Sequence, residues 1–68
     1  MDKKLTSTHK ALTLLKHVGM HHEHGIRLKE LIDATGLDKS TAHRLLGCLV
    51  DEGFVEPIAS TKLYRLGM

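Results

Sequence analysis

The chemistry available to this chain is concentrated between residues 38 and 44, in Asp38-Lys39-Ser40-Thr41-Ala42-His43-Arg44. The planar guanidinium of Arg44 can engage a guanine edge through two hydrogen bonds or clamp a phosphate. Ser40 and Thr41 bring hydroxyls to a place where backbone N–H groups at a helix start are also free, a setting that suits a phosphate. The same hydroxyls also serve as plain helix caps, and the two roles can coexist. Lys39 supplies phosphate charge, and His43 can donate to a base or a phosphate. Against this stands a simpler reading, a solvated helix face. Spacing alone leaves both open.

Other chemistries have less support. His17, His21, His22 and His24 crowd one short window, and imidazoles are good transition-metal ligands. They lack a spacing such as His-Glu-x-x-His on one helix, and Cys48 lies outside the window. A solvated turn is the expectation there, with no metal site. Cys48 has no identifiable base as partner, so no catalytic thiol is expected.

With 68 residues, 41% of them apolar, the chain can bury one thin core, because a fold of this size removes only ~60% of its unfolded surface from water. A doubly wound sheet, a barrel enzyme or a cofactor cradle does not fit. No acid–base pair or nucleophile arrangement is seen either, so neither catalysis nor a cofactor is expected. Apolar runs are too short to span a membrane, and no secretory signal is read. One cysteine cannot form an internal disulfide, which points to the cytosol. Ten Lys and Arg against eight Asp and Glu leave a net charge of +2. That balance is compatible with nucleic acid without requiring it.

The elements that position these residues follow from periodicity. Residues 1–6 form a polar, basic segment expected to be flexible. Ala11, Leu14, Leu15 and Val18 recur at i, i+3, i+4, i+7, the stripe of an amphipathic helix. Leu12 is expected to widen it, Ser7 or Thr8 to cap it, and Gly19 or Met20 to end it. Ile26 suggests a short strand after a polar turn. Leu28, Leu31 and Ile32 form a second stripe, closed by Gly36 where φ > 0 is needed. Asp38 is a good N-cap for a third helix, whose stripe is Ala42, Leu45, Leu46 and Leu49. Phe54–Glu56 and Leu63–Leu66 suggest strands joined by the loop Pro57–Lys62. Pro57 implies that the first strand lies at an edge or stops there. Two helices joined by a short turn containing Gly form a helix-turn-helix. The expected fold is mainly α with a small antiparallel β-hairpin. It is a winged helix-turn-helix over residues 7–67, with the helix-turn-helix at about 27–50 and the wing at about 54–66.

Three stretches then carry a resemblance. Leu28-Lys-Glu-Leu-Ile-Asp-Ala-Thr-Gly-Leu-Asp-Lys-Ser-Thr-Ala-His-Arg-Leu-Leu, Leu49-Val-Asp-Glu-Gly-Phe-Val-Glu and Tyr64-Arg-Leu-Gly resemble the amino-terminal DNA-binding domain of IclR-type transcriptional regulators. The resemblance covers about residues 5 to 67. It implies a cytoplasmic, bacterial-type regulator, a repressor by expectation, with its third helix in the major groove of double-stranded DNA. It also implies a palindromic operator and a homodimer or higher assembly of the intact protein. A small-molecule effector would occupy a further domain, absent from this chain. The candidate DNA-binding residues are Arg27, Lys39, Ser40, Thr41, His43, Arg44 and Lys62, the last at the wing tip.

Two positions depart from the family pattern. Asp38 stands where Pro is frequent, and either suits a helix start. Arg27 replaces a frequent Ser ahead of Glu30; it cannot cap, but it puts a cation where a phosphate could lie. The rival function is a winged-helix module for protein contact, since fold does not fix function. Steep salt dependence would mark DNA binding.

Overall fold

The computed structural model describes residues 6–21 and 23–67. Residues 1–5, on which the expectation of a flexible amino terminus mainly falls, lie outside the described residues. The elements are α1 (Ser7–Met20), β1 (Ile26–Arg27), α2 (Leu28–Thr35), α3 (Lys39–Asp51), β2 (Val55–Ile58) and β3 (Leu63–Leu66).

Thr6, not Ser7 or Thr8, caps α1. Its backbone is extended and its Oγ1 accepts the His9 N–H at 3.1 Å, while Ser7 already belongs to the helix. Leu14 and Val18 are buried, with Ala11 and Leu15 packed beside them. Leu12 does not widen this stripe; it is 59% exposed. One step along a helix is a rotation of about 100°, which carries Leu12 away from the layer that Ala11 touches.

α2 ends where Gly36 turns left-handed at φ 77° and donates to the Ile32 carbonyl at 2.8 Å. The turn of residues 36–38 then delivers Asp38 as the cap of α3. From α3, Ala42, Leu45, Leu46 and Leu49 all face inward. With Leu14, Val18, Leu31, Ile26 and Val55 they make one core, which holds no buried polar side chain among the described residues. Leu46, 1% exposed, gains ~1.5–3 kcal/mol from that burial.

The sheet has three antiparallel strands in the order β1-β3-β2. β3 is therefore central, and Ile26 and Arg27 pair with Tyr64 and Leu63. The expected hairpin is present, but β2 starts at Val55 and runs through Pro57 to Ile58, whereas the sequence suggested a loop from Pro57 onward. Pro57 is tolerated because β2 is an edge strand and needs no donor on its outer side. Gly25, at φ 84°, has no room for a side chain: a Cβ there would lie 2.9 Å from Leu63 Cβ. That close approach lets β1 reach β3.

Candidate nucleic-acid interface

The outward side of α3 is open. Lys39, Ser40, His43, Arg44, Gly47, Cys48 and Asp51 are exposed, and Thr41 is half-buried. Helical periodicity explains the division, since burying positions 42, 45, 46 and 49 leaves 40, 44, 47 and 51 in a line on the far side.

Its first turn is organised by Asp38. The Ser40 hydroxyl donates to Asp38 Oδ2 at 2.7 Å, and the Thr41 backbone N–H donates to the same oxygen at 3.1 Å. The Ser40 hydroxyl chiefly, then Thr41, holds the Asp38 carboxyl down at about 2, from the ordinary 3.8. Ser40 therefore has its proton committed and turns lone pairs outward. In this geometry it can accept from a base amino group but cannot donate to a phosphate. The sequence did not distinguish those two directions.

The cations divide into two groups. Among the described residues no hydrogen bond or ion pair engages the side chains of Arg27, Lys39, Arg44 or Lys62. Arg65 is already engaged, its Nε lying 3.4 Å from Glu56 Oε1 across the β2–β3 ladder. Arg27 precedes α2, and Glu30 Oε1 accepts its backbone N–H at 2.9 Å. This is half of a capping box. Guanidinium has no acceptor with which to supply the other half. β-Pairing sets Arg27 opposite Leu63, the residue after Lys62, so positions 27 and 63, distant in sequence, meet in the sheet.

The wing tip closes with both Thr61 and Lys62 N–H groups donating to the Ile58 carbonyl, at 3.2 and 2.8 Å. Lys62 is left-handed there, at φ 60°, a conformation that disfavours side chains. Between α3 and the wing runs an open cleft of ≈ 360 Å³. Leu28, Pro57, Ile58 and Leu63 wall it, and His43 and Lys62 are its basic side chains. Tyr64 also lines it while packing on the core. The sequence reading did not assign these wall residues. Their only local signal is the strand pattern of Leu63–Leu66; the partners across the cleft come from distant segments.

Within the histidine window, His22 lies outside the described residues. His21 Nδ1 lies 3.0 Å from the His17 carbonyl oxygen, and the described residues contain no cluster of three groups able to hold a metal ion. Cys48 is exposed and free. No helix among the described residues is long and apolar enough to cross a membrane.

Three helices, the third with an open outer face, and a three-stranded wing beside it define a winged helix-turn-helix protein. The chain matches the IclR helix-turn-helix domain over residues 7–58 and belongs to that family. An IclR family transcriptional regulator from Brucella abortus superposes with a TM-score of 0.83 at 29% identity, over 97% of this chain and 25% of its own. HmgR of Pseudomonas aeruginosa superposes at 0.79 with 31% identity, over 90% of this chain and 25% of its own. A curated relative, an uncharacterized HTH-type transcriptional regulator of Haemophilus influenzae, is 44% identical over 46 residues, 68% of this chain and 17% of that protein. The chain thus spans a quarter or less of the length of these relatives. The Brucella and Haemophilus proteins are transcriptional regulators, not enzymes.

Proposed function

We propose that this domain binds a specific double-stranded DNA site, with α3 in the major groove and the wing on the neighbouring backbone, over the helix-turn-helix at about 27–50 and the wing at about 54–66. The observation that carries the reading is the outer face of α3. Lys39, His43 and Arg44 stand there exposed, between Asp38 and Asp51, and nothing in the fold uses them. A major groove admits one helix and offers base edges to such side chains. Arg44 is assigned to a base edge or phosphate, Thr41 and Lys39 to backbone phosphates, and Ser40 to a base donor. His43, Arg27 and Lys62 complete the contact set.

Family membership supports a setting for this activity. The intact regulator is proposed to work in the cytoplasm as a homodimer or larger assembly on a palindromic operator, acting as a repressor. A small molecule held outside this domain would govern it. Two half-sites one helical turn apart fit such an assembly.

Titration of random-sequence 20-bp duplex across a salt series tests the reading. Four unpaired cations, Arg27, Lys39, Arg44 and Lys62, should give a log–log slope of roughly −3 to −4. Affinity insensitive to salt, or no binding at low salt, would overturn it and return the fold to protein contact.

A further inference from the structure

We propose that the cleft between α3 and the wing seats the DNA backbone, holding one phosphate between His43 and Lys62, so that binding takes up a proton at His43. This rests on the DNA-binding reading and goes beyond it by naming a seat and a pH response. A domain with one helix in the major groove and its wing at the adjoining minor groove must straddle the sugar-phosphate strand that separates them. The cleft is the channel left between those two elements, and its opening of ≈ 360 Å³ lies at their junction.

Its lining suits that occupant. Of the titratable side chains that line it, His43 and Lys62 are basic and Tyr64 is a phenol, and no carboxylate lines the cleft. His43 also borders a second hollow with Lys39 and Ser40, so cationic groups continue past it along α3. The groups that face His43 are Lys39 from its own helix, and Lys62 and Tyr64 from the wing; Leu28 is the uncharged neighbour from α2. The wall of Leu28, Pro57, Ile58 and Leu63 is apolar, and a cation–phosphate contact made beside a low-dielectric wall is stronger than one in bulk water. The strained backbone of Lys62 points the same way: its left-handed φ of 60° is kept at the tip although glycine would adopt it more easily. Histidine is the side chain whose charge changes between pH 5 and 8, and an adjacent phosphate favours its charged form.

The test uses the 68-residue chain and a random-sequence 20-bp duplex, titrated with salt at pH 6 and pH 8. Each neutralised phosphate contributes about −0.9 to the log–log slope. The wild type should bind several-fold tighter at pH 6 than at pH 8 with its slope little changed, because Lys62 already neutralises the shared phosphate. His43→Gln keeps a hydrogen-bonding amide but does not titrate, and most of the pH difference should vanish. Lys62→Gln should lower the slope by about 0.9 at pH 8, where neutral His43 leaves the phosphate uncompensated, and protonated His43 should restore it at pH 6. Circular dichroism checks that both exposed substitutions leave the fold intact. Full pH dependence in His43→Gln would assign the effect to other histidines and overturn the seat, as would an unchanged slope at pH 8 in Lys62→Gln. Absence of binding by the wild type at every salt and pH would overturn the DNA-binding reading itself, a separate outcome.

Discussion

At the residue scale, Arg44 and Asp38 show how neighbouring positions serve different ends. Arg44 touches nothing that the fold needs, so Arg44→Ala should leave the circular dichroism spectrum unchanged while weakening specific DNA binding by ~1–3 kcal/mol. Equal operator affinity in the two proteins would remove Arg44 from the interface. Asp38 belongs to the fold. Its carboxyl is depressed from 3.8 to about 2 by the Ser40 hydroxyl and Thr41. Stabilisation from a depressed carboxylate is fully present above the unfolded value and is lost as pH falls through the folded one. Asp38→Ala should therefore lower the melting temperature at pH 7, and the gap from wild type should narrow between about pH 4 and pH 2. A gap that stays constant to pH 2 would mean that the ionised cap is not its source. Lys62 links the two roles. Replacing it with Gly relieves a left-handed backbone at φ 60°, a gain of ~0.5–1 kcal/mol after the entropy of a freer unfolded chain is subtracted. Lys62→Gly should thus melt higher and bind DNA less well. A lower melting temperature would show that the lysine stem packs usefully at the tip.

At the element scale, α3 joins the core to the open surface. Its inward residues are so deeply placed that shortening one leaves a cavity, and Leu46→Ala should cost ~2–5 kcal/mol. A domain this small has only about 5 kcal/mol to lose, so the variant should be partly unfolded at room temperature by circular dichroism and urea titration. A midpoint shift of only a degree or two would mean that this face of α3 is less important to the core than its burial indicates. The stripe itself was plain in the sequence: Ala42, Leu45, Leu46 and Leu49 repeat with helical spacing, and all four are buried. Leu12 was not legible in the same way. Periodicity identifies the centre of an apolar face, but only the neighbouring layer decides how wide that face is, and here it stops short of Leu12.

At the scale of the whole molecule, the constraint is charge. The four cations assigned to the interface, Arg27, Lys39, Arg44 and Lys62, give one domain a modest grip, so a lone copy should bind a half-site no better than the micromolar range at 150 mM salt. Two copies joined by a dimerising segment should gain sharply on a palindrome whose half-sites lie about one helical turn apart. Comparing the single and fused forms in one salt series checks this. Nanomolar binding of a half-site by the single domain at that salt would show that the four-cation count is too low.

The sequence by itself determined the elements whose signals are local. Helical stripes, the Asp38 cap and the left-handed Gly36 each depend on residues within a turn or two. The order of three helices and a hairpin therefore followed, together with the face of α3 that stays outside. The family motif at Gly36–Leu46 is equally local and was equally legible. Tertiary structure decided what depends on distant segments meeting. It made β1 a third strand by pairing Ile26 and Arg27 with Tyr64 and Leu63, carried β2 past Pro57 because nothing pairs beyond that edge, and set Arg27 beside the wing. It also brought His43 and Lys62 to one cleft. Periodicity says which way a side chain faces from its own element; which side chain it then meets is set by how the elements pack, and no local pattern encodes that.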